Sequence, residues 1–240
     1  MSVFGYVAPE QAQKDKADFA RKGIARGRSL IGMSFTGGVL LCAENKSRNL
    51  HKLGEIYDHI AFAGVGKYNE FDQLRQAGIR SADLKGYQYS REDVDARSLA
   101  NGYAQLIGQV FTHEMKPLEV EILVAEVGVQ QEADQLFHIL YDGTVVDEDG
   151  TSVLGGDADA LADRLSSTYD RSAGPADALK TAVAALAGPD RTLGAADLEV
   201  AVLERGAARR CFRRVGDQEL ADLLGPAAEA PPEPGPATAE

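Results

Sequence analysis

The sequence predicts an α+β fold, a four-layer αββα sandwich in which two antiparallel sheets lie face to face and a helix pair covers each outer surface. The predicted elements are grouped as strands, two helices, strands, two helices and strands, rather than alternating. The first two strands, 30–35 and 39–44, are apolar at nearly every position, so both of their faces are expected to be covered. The 240 residues, 44% of them hydrophobic, are enough for one sizeable domain.

An N-terminal helix is predicted to precede the first sheet. Residues 1–8 are uncharged and rich in apolar side chains, and Pro9 then suits the first turn of a helix, where its missing N–H costs nothing. A thin apolar stripe predicts that this helix runs over 9–26 and docks on one side only, with Gly27 ending it. The dipeptide Gly37-Gly38 predicts a hairpin between the first two strands.

The middle of the chain predicts one strand and two helices. Residues 56–65 read as a strand, 67–77 as a helix, and the following residues as a loop through Gly86. Ser90 resembles the first residue of a capping box, and it precedes an amphipathic helix with apolar residues at spacings of three and four. Pro117 is expected to end that helix.

The second half predicts a meander, a helix pair and a final strand pair. The predicted strands are 120–127, 135–141, 144–147, 198–203 and 211–215, and the predicted helices are 158–169, 175–186 and 217–224. Residues 226–240 are rich in Pro, Ala and Glu, a composition typical of a disordered tail.

Charge and composition exclude several classes of protein. The net charge of −12 argues against general nucleic-acid binding, which needs a basic face. No apolar run approaches the roughly 20 residues of a membrane span, and the N-terminus lacks the layout of a secretion signal, so we expect a cytoplasmic protein with no membrane contact. The two cysteines, Cys42 and Cys211, are far apart in sequence and are predicted to be buried or idle thiols.

Positive charge is concentrated at the N-terminus. Residues 1–50 hold eight Lys or Arg and four Asp or Glu, whereas the rest of the chain is strongly acidic. This pattern fits either a solvated basic helix or a basic collar that meets a carboxylate-bearing partner.

Motifs for catalysis, metals and cofactors are missing. The four histidines, His51, His59, His113 and His138, have no metal-ligand spacing and are predicted to lie on the surface or to be satisfied in the core. No Gly-x-Ser-x-Gly occurs, and Gly64-Val65-Gly66-Lys67 is too short for a phosphate loop. The sequence therefore predicts no metal and no cofactor.

Several segments together resemble one known family. They are Ala8-Pro9-Glu10-Gln11, Asp18-Phe19-Ala20-Arg21-Lys22, Arg26-Gly27-Arg28-Ser29, Gly37-Gly38-Val39-Leu40-Leu41, Glu44-Asn45-Lys46-Ser47-Arg48, the segment 52–58, Ala63 to Phe71, and Leu193 to Leu203. On these segments, the chain resembles the α subunits of the 20S proteasome, in the form found in actinobacteria, over about residues 3–225.

This resemblance implies a fold, an assembly and a division of the chain. The fold is that of the N-terminal nucleophile hydrolases, with an additional N-terminal helix. The assembly is a homoheptameric α ring that caps a ring of β subunits, docks an ATPase ring through the C-terminal carboxylates of that activator, and admits unfolded protein substrates. The chain divides into a gating tail (1–8), a proteasome α-type domain (9–225) and the C-terminal tail (226–240).

The same resemblance separates a structural role from a catalytic one. Active β subunits lose a propeptide and expose a threonine at the start of the first strand, whose free amine acts as the base. Counting back from the shared turn at Gly37-Gly38 puts Arg28 at that position, and arginine is no nucleophile. Ser29 would require cleavage directly before it and loss of the N-terminal helix. We therefore expect no catalytic residue, with proteolytic activity in the β subunits; the rival interpretations are an active N-terminal nucleophile hydrolase and a stand-alone binding domain.

Site residues follow from the resemblance, residue by residue. Lys52 falls near the catalytic lysine of β relatives, but in α subunits the matching lysine grips the C-terminal carboxylate of an activator; the alternative is an ordinary surface lysine. Gly27 and Asp18 match two further positions of that pocket. The resemblance also implies a gate, formed by Val3, Phe4, Tyr6, Val7 and Pro9, and ring contacts, formed by Phe19, Arg21 and Arg26. The archaeal-type Tyr-Asp-Arg gate signature is absent before Pro9.

Overall fold

The computed structural model describes residues 8–225, so the predicted gate residues 3–7 and the predicted tail 226–240 lie outside the described residues. Ten strands form two antiparallel five-stranded sheets, as predicted. One sheet has the order β10-β9-β2-β1-β8 and the other β3-β4-β5-β6-β7. The strands are β1 (Leu30–Phe35), β2 (Gly38–Glu44), β3 (Leu53–Tyr57), β4 (Ile60–Gly66), β5 (Val120–Glu126), β6 (Gln135–Ile139), β7 (Val145–Glu148), β8 (Thr151–Leu154), β9 (Leu198–Glu204) and β10 (Phe212–Arg214).

Helices cover both outer faces and confirm the four-layer arrangement. They are α1 (Pro9–Ile24), α2 (Tyr68–Gln88), α3 (Ala96–His113), α4 (Ala158–Thr168), α5 (Pro175–Ala187) and α6 (Asp217–Leu224). Helices α2 and α3 pack on the β3–β7 sheet, and α4, α5 and α6 pack on the other. Helix α1 belongs to neither outer layer; it contacts β4 and β5, and its Ala20 and Ile24 are buried in the core between the sheets.

Every residue of β1 and β2 is buried, as their continuous apolar runs predict. One side of these strands, with Leu30, Val39 and Leu41, belongs to the core between the sheets. The other side, with Ile31 and Cys42, packs under α4 and α5. Both cysteines of the chain are free and buried, as predicted.

The single strand predicted over 56–65 is wrong, because the chain reverses direction inside it. Tyr57 pairs with Ile60, so Asp58 and His59 form the turn of a hairpin between β3 and β4. The Arg91 guanidinium donates two hydrogen bonds to the Asp58 carboxylate, at 3.0 and 2.6 Å, and secures this turn. The turn has no glycine or proline, and buried residues flank it on both sides, so the local pattern does not mark it.

The prediction that the helix after β4 ends at residue 77 is also wrong, since α2 continues to Gln88. Gly78 and Gly86, which weaken a helix locally, occupy positions where a larger residue would not fit. A Cβ on Gly78 would overlap the Tyr103 hydroxyl of α3, and one on Gly86 would overlap the Tyr57 hydroxyl of β3. Packing of two tyrosine side chains against the α2 backbone therefore explains these glycines.

Smaller differences concern helix ends and one short strand. Ser90 caps only a short 3₁₀ segment, Arg91–Asp93, and the N-cap of α3 is instead Asp95, which accepts a hydrogen bond from Ser98 N at 2.8 Å. Helix α1 ends at Ile24, two residues before the predicted end. Strand β8 was not predicted; four residues are too few for a clear alternation.

A buried ion pair joins the two sheets. Asp134, just before β6, is 2% exposed and accepts two hydrogen bonds from the Arg205 guanidinium, at 2.9 and 2.8 Å. It also accepts hydrogen bonds from Gly128 N (2.9 Å) and from the Ser34 hydroxyl of β1. All four oxygen lone-pair directions of this carboxylate therefore have donors, which is the condition for burying a charge.

Candidate functional site

The candidate site lies at the connection between the end of α1 and the start of β1. Gly27 N donates a hydrogen bond to Ile24 O at 2.8 Å, closing the end of the helix. A Cβ on Gly27 would lie 2.8 Å from Val65 Cγ1 and 3.0 Å from Gly66 N. Only glycine therefore lets the chain pass this closely over the end of β4, which brings Arg28 to the start of β1.

An ion network, rather than a nucleophile, occupies the start of β1. The Arg28 guanidinium donates to the Glu44 carboxylate, which is 6% exposed. Arg191, beyond α5, donates to both oxygens of the same carboxylate, at 3.3 and 3.2 Å. The network borders a cavity of about 460 Å³ between the end of α1, α4 and the end of α5. Glu44 is thus a buried acceptor shared by two arginines.

Ser29 lacks the surroundings of a nucleophile. Its carbonyl accepts a hydrogen bond from Glu44 N at 3.1 Å, as part of the chain's entry into the sheet. Of the described residues that line the neighbouring cavity, none is His, Cys or Lys.

Lys52 is a half-buried amine held by a carbonyl oxygen. Its Nζ donates to Arg28 O at 2.6 Å. Within residues 8–225, no carboxylate oxygen lies within 4.0 Å of this nitrogen. Burial lowers the pKa of Lys52 to about 8, because the charges of Glu199 and Glu44 only partly offset the loss of water and Arg28 adds to the lowering.

Glu199 of β9 fixes the backbone around Lys52. Its carboxylate, 9% exposed, accepts hydrogen bonds from Lys52 N (2.8 Å), Leu53 N (3.3 Å) and Asn45 Nδ2 (2.8 Å). Arg214 donates to the same group at 2.5 Å and also to Leu53 O at 2.6 Å. The start of β3 is therefore rigidly joined to β9 and β10, which determines where the Lys52 side chain begins.

Sequence comparisons agree with this geometry. The family model described as "Proteasome subunit" matches residues 24–203. A protein named "Proteasome subunit alpha" from Acidimicrobium ferrooxidans is 65% identical over 225 residues, covering 94% of this chain and 97% of the relative. The chain belongs to the proteasome α-subunit family. Proteins of the same name from Sanguibacter keddieii (53% identical, covering 99% and 96% of the two chains) and Salinispora tropica (50%, covering 100% and 94%) are also similar.

The names of the relatives support the role of a non-catalytic α subunit, and the start of β1 is compatible with that role. Arg28 stands at the start of β1, paired with Glu44, and Lys52 is bonded to the Arg28 carbonyl. In the part of the chain that the structure describes, no group of three or more His, Cys, Asp or Glu is arranged to hold a metal ion. None of the helices described there is both long and apolar enough to cross a membrane.

Predicted pocket residues of this α subunit are only partly brought together. Lys52 lies close to Gly27, because its amine donates a hydrogen bond to the carbonyl of Arg28, the residue after Gly27. Asp18 lies on α1, half exposed, and pairs with Arg21 at 3.7 Å. Among the hydrogen bonds and ion pairs of residues 8–225, none joins Asp18 to Lys52.

Predicted ring-contact residues lie on the open side of α1. The Phe19 ring is 46% exposed, with the Lys116 amine 5.6 Å from its centroid. The Arg21 guanidinium lies 5.4 Å from the centroid of the Tyr141 ring. Arg26 is exposed just beyond the helix, and Pro9 is exposed at its first position.

Two residues that organise the site of the α subunit were not predicted as site residues. Glu44 and Glu199 are carboxylates in strands that are otherwise almost wholly apolar. Such a charge is expensive to bury unless it is paired, so its position in a buried strand is the signal that would have identified both. Their arginine partners, Arg191 and Arg214, come from distant segments that no local pattern connects.

Proposed function

We propose that this α subunit forms homoheptameric rings that cap rings of β subunits, gate the entry of unfolded proteins and dock an ATPase ring in the cytoplasm. Proteolysis would take place in the β subunits. The observation that carries the proposal is the Lys52 ammonium, half-buried and bonded to a carbonyl rather than to a carboxylate. A cation in this state has an unmet preference for a negatively charged partner.

The neighbouring carboxylates do not meet that preference. Glu44 is engaged by Arg28 and Arg191, and Glu199 by Arg214 and three N–H groups of other residues. The C-terminal carboxylate of an activator would supply the missing charge. One charge-assisted hydrogen bond contributes about 1.5–3 kcal/mol, and repeated contacts around a ring reinforce one another through effective concentration.

Ring closure is supported by the apolar surface beside α1. Phe19 and the almost fully exposed Met115 border a groove of about 540 Å³ between α1 and the segment after α3. Within its own domain, helix α1 packs mainly against β4 and β5. A neighbouring subunit would cover this surface, with Arg21 and Arg26 at its edge and Asp18 directed to the shared pocket.

If the activator docks at Lys52, the β ring would bind the opposite end of the domain. Helix α2 starts beside β4 near Gly66 and runs for about 31 Å to the opposite end of the domain. Tyr87, Tyr89 and Val129 are largely exposed at that end, and we propose that the β ring contacts them. The gate would be formed by the apolar residues that precede α1, which lie outside the described residues.

Docking should weaken as the pH rises, because the Lys52 amine must be charged to bind a carboxylate. Its pKa of about 8 means that the amine is mostly protonated near neutral pH and mostly neutral one unit above 8. A bound carboxylate stabilises the protonated form of the Lys52 amine, so binding is strongest where that amine is already charged. The affinity of the assembled particle for a peptide with the activator's C-terminal sequence should therefore fall about tenfold between about pH 7 and about pH 9. Fluorescence anisotropy with a labelled peptide measures this.

The matched control is the same peptide with an amidated C-terminus. It should bind weakly and with little change over the same pH range, because it brings no carboxylate to Lys52. Equal affinities for the free and amidated peptides at every pH would contradict carboxylate docking at this site.

A further inference from the structure

His138 of β6 lies between the two sheets, outside the site described above. Leu136, two residues earlier, belongs to the core between the sheets, and side chains two apart on a strand share a face. His138 is 8% exposed. Ring nitrogens of a buried histidine normally find partners inside the protein, yet Nε2 of His138 is buried and has no hydrogen-bond partner among the described residues.

Both ring nitrogens of His138 face carboxylates. Nε2 lies 3.5 Å from Glu121 Oε2 of β5, and Nδ1 lies 3.6 Å from Glu148 Oε1 of β7. A neutral imidazole has only one N–H, so one nitrogen would then turn a lone pair towards an anionic oxygen. Only the imidazolium offers a donor on each side.

The two carboxylates depend on His138 for charge compensation. Within residues 8–225, neither Glu121 nor Glu148 forms an ion pair with a lysine or an arginine. Their side chains are 14% and 29% exposed, so solvent compensates them only in part. A neutral His138 would leave two negative charges facing each other across one ring.

Other elements complete the surroundings of this cluster. Tyr141, after β6, lies close enough to Glu121 and Asp142 to feel their charges, and the guanidinium of Arg21 lies over its ring. Ser152 of β8 pairs with Gly32, which faces Leu123 of the other sheet, and Leu123 in turn pairs with His138. The register therefore puts Ser152 on the opposite wall of the same space. Its hydroxyl is fully buried and has no hydrogen-bond partner in the part of the chain that the structure describes.

We propose that His138 is a proton-binding site that fastens the edge strand β7 to the rest of the sandwich. Strand β7 is the last strand of its sheet, and it leads directly into β8 of the other sheet. The proton on His138 of β6 holds Glu148 of β7 on one side and Glu121 of β5 on the other. When the proton leaves, repulsion between the two carboxylates loosens this crossover.

The direction of the titration agrees with the geometry. Burial lowers the pKa of His138, but the nearby Glu121 and Glu148 carboxylates, which favour the protonated ring, outweigh burial and hold the pKa above 6.5. A raised folded-state pKa stabilises the fold fully below the unfolded value of about 6.5, and the stabilisation is lost as the pH rises through the folded value. The contact between His138 and the two carboxylates is therefore fully formed below pH 6.5 and is lost as the pH rises through the raised pKa of His138.

NMR of the full chain with ¹³Cε1-labelled histidine tests the charge state of His138. The His138 signal, assigned with a His138→Gln variant, should titrate with a midpoint above the ordinary value of about 6.5. The Glu148→Gln variant should move the midpoint downwards, whereas Asp149→Asn, which changes an adjacent exposed carboxylate, should not. A wild-type midpoint at or below 6.5 would overturn the proposal.

Hydrogen exchange tests whether the proton acts on β7. After correction for intrinsic exchange rates, the amides of residues 145–148 should lose about tenfold in protection across the His138 titration, while those of β2 keep theirs. His138→Gln should show the reduced protection at every pH. Protection of the β7 amides that does not change through the titration would show that protonation of His138 does not stabilise this strand.

Discussion

Replacing Asp134 with alanine is expected to lower the free energy of unfolding by about 3–5 kcal/mol, because it leaves a buried charge without its partner. Arg205, 14% exposed, would keep its guanidinium between the sheets with no carboxylate to receive it. Gly128 N and the Ser34 hydroxyl would lose their acceptor at the same time. Urea unfolding of the full chain, followed by circular dichroism, measures the change.

Asp149→Ala is the matched control for that experiment. Asp149 also pairs with an arginine, Arg171 at 3.1 Å, but its side chain is 96% exposed. Removal of an exposed pair is expected to change the free energy of unfolding by at most about 1 kcal/mol. Similar effects of the two substitutions would show that burial of the Asp134 pair does not determine its contribution.

Replacing Lys52 with alanine is expected to reduce activator-stimulated proteolysis of the assembled particle about tenfold or more. The variant removes the only group at this position that would bond to an activator's carboxylate, a contact worth about 1.5–3 kcal/mol in each subunit. The measurement is the ratio of protein degradation with and without activator, at matched particle concentration. Taking a ratio separates docking from any change in the amount of active particle.

Lys46→Ala provides a comparison of the same residue type. Lys46 lies six residues before Lys52, pairs with Asp197 at 3.5 Å and has a side chain that is 60% exposed. Its substitution should leave the stimulation ratio near that of the wild type. An equal ratio in the wild type and in Lys52→Ala would remove Lys52 from the docking role.

The layers of the fold could be predicted because the clearest sequence patterns, the apolar strands and the periodic helix, each extend over several residues. The fully apolar β1 and β2 indicated strands covered on both faces, and the periodicity of α3 indicated a helix packed on one side. The errors came from local signals that tertiary packing overrides. The helix predicted to end at residue 77 continues through Gly78, which makes room for Tyr103. The turn at Asp58 has no turn residue except the aspartate that Arg91 binds.

Lys52 and Gly27 were expected as pocket residues from the resemblance, and their role in docking stays a prediction. The exclusion of Arg28 as a nucleophile followed from side-chain chemistry. Glu44 and Glu199 were missed because their importance depends on donors from distant segments. Asp18 has no contact with Lys52 within residues 8–225 of one chain, and a pocket shared between neighbouring subunits would account for this.

Native mass spectrometry of this chain co-expressed with a β-type partner tests the central claim most directly. The account predicts a particle with two heptameric α rings on two β rings, in which each α chain keeps its N-terminal helix uncleaved and peptide hydrolysis requires the β chains. An α chain that stays monomeric beside its partner, or that cleaves peptides alone from a new N-terminus at Ser29, would contradict it.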